Sequence, residues 1–409
     1  MNKYIGYSAA AVVFAGSAAF ARPGEHIRFA DGSITLKPYV NMSYTWDSNV
    51  SSSKHSRDDS IFAVRPGMDF EWKRPDKEFN LNGGVWYGYN HYAHRKRDAH
   101  HTIGEKLSLS KDFIAGNGNK WSLRISESYR KINANDAITH DDGNGVWRNR
   151  DIFNVAGALS ERIKRFHWGV HGTYSRLSYD NDDYKYQRLI GWDSWAVGGE
   201  AGWLFSKWTD VLLTGSYTGY TQDGRKYSGD VGRSYTKKSN TWTLMTGIGS
   251  HLADSERLSY RALVGASRHE YGSRRKETGW TYQLSFNWNF RRQWAFSVRG
   301  SSYYHPSEYT YGQSSKTYTL GAGLTYAMTQ KLSWTGDVLY RKSMSACNDY
   351  RVSSYDHNDL HARLALHYKF QPWAEIYGAV GYVTRISDSD SDSNDYNRFR
   401  GSLGLTFTY

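Results

Sequence analysis

The chain has one cysteine, Cys347, among 409 residues. A single thiol excludes a disulfide framework and any cysteine-ligated zinc or iron–sulfur centre. Proline is scarce too, with six in the whole chain, which argues against a Pro-rich linker or low-complexity protein. Beyond the N-terminus no uncharged apolar run reaches 18 residues and mean hydropathy is −0.72, so a bundle of transmembrane helices is excluded. What the chain has in plenty is aromatic residues, 33 Tyr, 16 Trp and 16 Phe, alongside 39 Gly. Lys and Arg number 52 against 40 Asp and Glu, a formal charge of +12. Aromatic and hydroxyl-bearing residues suit strands. A chain that is polar on average yet dense in aromatics must separate the two characters in space.

The N-terminus reads as an export signal. Lys3 supplies a basic start, residues 5–20 form a short apolar stretch, and Ala19 and Ala21 place small residues at the −3 and −1 positions of a cleavage site. Gly6, Ser8, Gly16 and Ser17 dilute a run already short for a membrane anchor. The expected organisation is a signal peptide over 1–21, a short periplasmic lead over 22–33, and one domain over 34–409.

That domain alternates with period two. Tyr409, Phe407, Leu405, Leu403 and Phe399 fall on one side of a strand, and Thr408, Thr406, Ser402, Arg400 and Arg398 on the other. Trp280 to Phe290 and Leu360 to Phe370 repeat the pattern, with Arg363, His367 and Lys369 opposite Leu364, Leu366 and Tyr368. A soluble sandwich rarely sets so many bases on one strand face against so many Trp and Leu on the other. A membrane barrel needs that arrangement, because its outside meets lipid and its inside meets water.

Connections alternate between short and long. Tight turns fall near residues 75, 117, 163, 207, 254, 292, 330 and 372, and longer polar loops fall at 51–59, 94–98, 133–148, 179–189, 222–233, 271–277, 306–316, 345–357 and 386–396. The count predicts an all-β, transmembrane, antiparallel up-and-down β-barrel of about 18 strands, with short periplasmic turns and longer extracellular loops. A β-propeller has a similar repeat length but builds each repeat from four short strands, whereas each repeat here holds two runs of 10–13 residues. Aromatic pairs beside the short turns, such as Trp72 with Phe79 and Phe290 with Trp294, read as an interfacial girdle.

The segment Tyr44-Thr45-Trp46-Asp47-Ser48-Asn49-Val50, followed by Asp58-Asp59-Ser60-Ile61-Phe62-Ala63-Val64-Arg65-Pro66-Gly67-Met68, resembles the opening of the outer-membrane β-barrel porin type 2 family. The motif spans about 30 residues, and beyond it the similarity is one of strand pattern and length. The resemblance implies a Gram-negative outer-membrane barrel, with some relatives associated with exopolysaccharide export; it carries over no substrate and no functional residue. Phe407-Thr408-Tyr409 resembles the aromatic-ended signal by which the barrel-assembly machinery recognises its clients. The partners implied are therefore outer-membrane lipid and lipopolysaccharide, that machinery and small polar solutes, with no nucleic acid and with homo-oligomerisation left open.

An 18-stranded barrel is wide enough for an aqueous channel. Alternation places Lys37, Arg65, Lys106, Arg124, Arg130, Arg261, Arg299, Arg341, Arg363, Lys369, Arg398 and Arg400 inside, against Asp69, Glu71, Asp112, Glu200 and Asp337. Such an excess of bases predicts modest anion selectivity, unless the charges form a paired, solvated wall. Trp86, Tyr303 and Tyr377 also face inward, where they suit sugar rings as well as strands. Glu105, Glu127 and Arg268 fall on the nominal lipid face, so they lie beyond the apolar band or mark a bulge. The longest loop carries Asp136, Asp141 and Asp142, which either fold inward as a constriction or lie on the outer surface. The expected function is a porin-like channel for passive passage of small polar solutes, anions or saccharides. The alternatives are a surface-binding barrel, an export accessory or, with least support, a hydrolase. No G-x-S-x-G elbow or metalloprotease motif is present, and His171 and Ser175, four residues apart on a strand, are too distant for a dyad. No cofactor is expected, and no metal. The Asp388, Asp390, Asp392, Asp395 run has Ser393 where a calcium loop needs Gly, and His91, His94, His100 and His101 crowd beside Arg95, Lys96 and Arg97.

Overall fold

The computed structural model describes residues 26–30, 32–50, 57–94, 99–114, 119–133, 149–179, 191–222, 238–250, 257–271, 275–306, 314–346, 356–387 and 395–409. The expected signal peptide and Asp136, Asp141 and Asp142 lie outside the described residues. A short strand, β1 (Ile27–Phe29), leads into β2 (Ile34–Asp47), β3 (Asp59–Arg74), β4 (Phe79–Tyr92), β5 (His100–Ile114) and β6 (Lys120–Asn133). The chain continues through β7 (Asn149–Ile163), β8 (Phe166–Tyr179), β9 (Trp192–Ser206), β10 (Thr209–Gln222), β11 (Lys238–Ser250) and β12 (Leu258–Tyr271). It ends with β13 (Arg275–Arg291), β14 (Trp294–Pro306), β15 (Ser314–Ala327), β16 (Leu332–Ala346), β17 (His357–Gln371), β18 (Ala374–Ser387) and β19 (Tyr396–Thr408).

Each long strand pairs antiparallel with its neighbours in sequence, and β19 returns to β2 from Arg400↔Asp47 to Thr408↔Tyr39. The eighteen long strands thus form a closed antiparallel barrel. β1 occupies the part of the β2 edge that β19 does not reach, pairing Ile27↔Leu36. The end of β19 meets it there: the Tyr409 amide donates to the Pro38 carbonyl at 2.8 Å, and His26 Nδ1 lies 3.3 Å from the Tyr409 carbonyl. Gly32, at φ +84°, makes the turn between β1 and β2, a conformation that L side chains rarely take.

Turns at 75, 163, 207, 292, 330 and 372 join consecutive strands directly. Two loops are shorter than alternation suggested. The strands run through Tyr271 and resume at Arg275, and they extend to Pro306 and restart at Ser314. At both places polar residues with strand-compatible spacing continue the ladder past the point where the apolar pattern fades.

The outer face is apolar and uncovered: Leu244 is 60% exposed, Val264 58% and Leu403 55%, with Val197, Leu213, Leu320 and Leu364 alongside. Solvent contact on that scale, wrapped continuously round a closed barrel, is the signature of a surface made for acyl chains. Aromatic rows bound it. Near the short turns lie Trp72 against Phe79 (5.2 Å), Trp121 against Trp168 (5.5 Å) and Phe290 against Trp294 (5.9 Å). Toward the long connections lie Phe153 against Tyr174 (6.3 Å), Trp195 against Tyr217 (5.1 Å) and Tyr217 against Trp242 (4.4 Å).

Glu105 and Glu127 do face outward, and no bulge interrupts the β5–β6 ladder that holds them. Glu105 pairs with Tyr129, which pairs in turn with Phe153 of the upper aromatic row, and Glu127 lies one rung below. Arg268 stands opposite Trp242 of that row and donates to Glu270 at 3.0 Å. The three charges therefore mark the outer border of the apolar band. Glu127 is the deepest, so Glu127→Leu should stabilise the barrel by about 1 kcal/mol, read as a higher urea midpoint. A lower midpoint would contradict its placement against lipid.

Candidate functional site

The opposite face of every strand is enclosed. Register puts Lys37, Arg65, Lys106, Arg124, Arg130, Arg261, Arg299, Arg341, Arg363, Lys369, Arg398 and Arg400 on it, together with Asp69, Glu71, Asp112, Glu200 and Asp337. Trp86 and Tyr377 share that face. Phe407 and Tyr409 do not converge on it: Phe407 faces outward, 6.2 Å from Trp373.

The bases divide into two groups. One group is paired along the wall: Lys37 with Glu71 (3.4 Å), Lys106 with Asp69 (3.0 Å), Arg124 with Asp112 (2.8 Å), and Arg261 with Glu200 across two intervening strands. Arg398 and Arg400 both clamp the fully buried Asp47, with Arg400 Nε at 2.7 Å. Arg385 grips Asp359 through two nitrogens, at 2.7 and 3.1 Å, with Arg341 at 4.0 Å. The second group, Arg130, Arg299, Arg363 and Lys369, is exposed to the enclosed space and has no ion pair among the described residues. Arg65, also exposed, lies over the Trp86 ring at 4.5 Å. Asp337 is the exposed wall acid that shares their state.

Asp47, Asp59, Asp210, Asp359, Arg162 and Arg385 are enclosed charges that the sequence reading did not single out. Carrying the same alternation to the strand ends would have found them. Among the described residues, no group of three or more His, Cys, Asp or Glu could hold a metal ion. His100 and His101 sit on opposite faces, so that loop cluster does not converge.

The barrel wall is interrupted at one place. β13 pairs with β12 as far as Arg275, but its ladder with β14 stops at Gln283↔Ser301. Above that point β14 stays paired with β15, and β15 with β16 as far as Ser314↔Ala346, so the β14–β15 hairpin turns inward as the edge of the wall instead of meeting β13. Their nominal outer side then covers the inner side of β12 and β13. The Tyr304 ring stacks on His269 at 4.6 Å and 4°, and its hydroxyl donates to Glu277 at 3.4 Å. Lys316 Nζ donates to the Trp280 carbonyl at 2.9 Å and lies 4.8 Å from the Tyr304 ring centroid. Ser314 Oγ is 2.8 Å from His269 Nε2. A Cβ on Gly279 would lie 2.4 Å from Lys316 Nζ, so the glycine leaves room for the Lys316 ammonium against β13. The Tyr220 hydroxyl of β10, two strands from β12, also donates to the Tyr304 carbonyl at 3.0 Å.

This hairpin narrows the lumen from one side. Replacing Tyr304 and Lys316 together by alanine removes the stack, the cation–π contact and the carbonyl bond that hold it in place. The double variant should show higher single-channel conductance with a broader spread of levels, and unchanged conductance would refute the narrowing role.

Beneath the hairpin lies a cavity of about 410 Å³. Its lining comes from seven consecutive strands and includes His171, Glu200, Thr214, Tyr220, Arg261, Gln283 and Tyr303. Glu200 and Arg261 satisfy each other there, and His167 links Glu200 (3.6 Å) to Asp210 (3.8 Å). Thr214 Oγ1 and Arg261 Nε are buried with no hydrogen-bond partner.

A closed barrel of eighteen antiparallel strands, apolar outside and charged within, is an outer-membrane β-barrel. No protein-family model and no curated protein matches the chain. Among solved structures it is similar to the outer membrane protein opdK from Pseudomonas aeruginosa, at 11% identity and TM-score 0.42, covering 91% of this chain and 99% of that one. It is also similar to OccAB3 of Acinetobacter baumannii (8%, TM-score 0.40, 92% and 99% covered) and to the siderophore receptor PirA of Pseudomonas aeruginosa (6%, TM-score 0.40, 91% and 80% covered).

Proposed function

We propose that the protein is a passive outer-membrane channel for small polar solutes, with a preference for anions. The observation that carries this reading is the imbalance of uncompensated charge inside the barrel. Arg65, Arg130, Arg299, Arg363 and Lys369 are exposed there without a carboxylate partner among the described residues, against Asp337 on the acidic side. The paired groups contribute little net field, because each pair presents a dipole and not a charge. Unpaired guanidinium and ammonium groups facing water in a low-dielectric tube raise the local anion concentration and repel cations. The narrowing by the β14–β15 hairpin strengthens the effect, since a narrower water column screens less.

This role requires no catalytic group. It is tested by reconstituting the purified protein in a planar bilayer under a potassium chloride gradient. The expected reversal potential has the sign of chloride permeation, and its size should fall as salt rises. Preference for potassium would overturn the anion reading, and absence of current would overturn the channel.

A further inference from the structure

We infer that the cavity beneath the β14–β15 hairpin is a binding site for a neutral pyranose-type sugar. The inference deepens the channel reading and rests on it for the cavity's place on a solute path. Three features of the cavity lead to this class of ligand.

The first is charge. Glu200 and Arg261 neutralise each other within the lining, so a ligand carrying its own charge gains no counter-ion without breaking that pair. The second is the density of short hydrogen-bonding side chains. Thr214, Ser216, Thr218, Thr241, Thr243 and Gln283 converge from β10, β11 and β13, a donor and acceptor set suited to a ring of hydroxyls. Thr214, only 8% exposed, offers an Oγ1 with no partner, and the Nε of Arg261 is in the same state. Buried polar atoms of this kind are costly unless something meets them. The third is an aromatic face. Tyr303 stands 44% exposed at the cavity, next in sequence to Tyr304, which is 2% exposed and holds the hairpin. The Tyr303 ring, tilted against His305 at 5.8 Å, still presents this exposed surface to the cavity, where it can stack on the apolar face of a sugar. The volume, about 410 Å³, falls in the range of roughly 300–1,000 Å³ typical of small-molecule sites.

The test uses the full-length protein in detergent micelles and saturation-transfer NMR with glucose, galactose and sucrose. Glucuronate and glucosamine serve as charged counterparts. Transfer to the ring protons of at least one neutral sugar is expected. Tyr303→Ala should weaken binding by roughly tenfold, about the loss of one stacking contact. Thr214→Val, which keeps the side-chain shape, should weaken it several-fold, and Thr335→Val, on the enclosed face but outside the cavity, should leave it unchanged. Folded variants are recognised by wild-type mobility of the unheated barrel on a gel; if Tyr303→Ala fails that criterion, Thr214→Val carries the test. No transfer from any neutral sugar, transfer indifferent to both cavity variants, or transfer only from the charged sugars would overturn the site. The same preparation in a planar bilayer separates the two readings: current without sugar binding removes the site and leaves the channel, and binding without current does the reverse.

Discussion

Replacing Asp47 by alanine should destabilise the barrel by about 3 kcal/mol, measured as a fall in the urea midpoint at which the unheated protein loses its compact gel mobility. Asp47 is fully buried at the top of β2, on the seam where the last strand closes on the first long one. Its carboxylate accepts from Arg398 Nε at 2.9 and 3.0 Å, from Arg398 Nη2 at 2.5 Å and from Arg400 Nε at 2.7 Å, and it also caps the Asn49 amide at 3.0 Å. Removing it strands two guanidiniums that together are less than one-sixth exposed on either side chain, and a buried charge deprived of its partner is the expensive case. The value sits near the low end of the usual range because Asp59 stands directly across β2–β3, and its repulsion with Asp47 disappears in the variant. A second arm tests the cause. Asp47→Ala combined with Arg398→Met and Arg400→Leu should recover most of the loss, since apolar side chains of similar volume replace buried ions at little cost. A loss under about 1 kcal/mol for Asp47→Ala alone, or no recovery in the triple variant, would show that the seam is held by its backbone ladder and not by this clamp.

The wall itself was legible because two solvents meet on either side of a single strand. Lipid outside and water inside enforce period two with unusual strictness, so Leu360 to Phe370 could be assigned to faces from sequence alone. Strand 375–385, whose Tyr377, Ala379, Gly381 and Val383 fit either phase, is fixed only by the ladder to β17, which sets Glu375 and Arg385 inward. Charge pairing was not legible. Arg261 meets Glu200 from three strands away, a distance governed by barrel curvature and stagger, which no local pattern encodes. The departing hairpin was hidden for a related reason, because it depends on where the β13–β14 ladder releases. It left traces nonetheless. Tyr303 and Tyr304 are adjacent aromatics that violate alternation, Lys316 is a charge on a nominally lipid-facing position, and Gly279 is a gap on the facing wall. Together these say that the segment has left the lipid, although each alone reads as noise.

The largest functional effect should come from reversing the charge of the unpaired bases while leaving the clamps intact. Arg299 projects from β14 below the point where the hairpin departs, and Arg363 projects from β17 opposite Asp337 of β16. Both are exposed on the enclosed face and neither has an ion pair among the described residues. Replacing both by glutamate changes the wall by four units of charge without breaking a salt bridge, so the barrel should fold with wild-type mobility. The reversal potential under a potassium chloride gradient should move through zero and take the sign of potassium permeation. The shift should be largest at low salt, because exposed charges are screened over about 10 Å at 0.1 M and only about 3 Å at 1 M. Arg124→Glu is the informative contrast. Arg124 is bonded to Asp112 at 2.8 Å, so its reversal sets two acids side by side, which costs stability and also moves selectivity less than its formal charge suggests, since Lys120, 3.3 Å from Asp112, offsets part of the added charge. If Arg299→Glu with Arg363→Glu leaves the reversal potential in place while Arg124→Glu shifts it, the permeation path runs along the clamped side of the barrel, and the division between paired and unpaired bases loses its functional meaning.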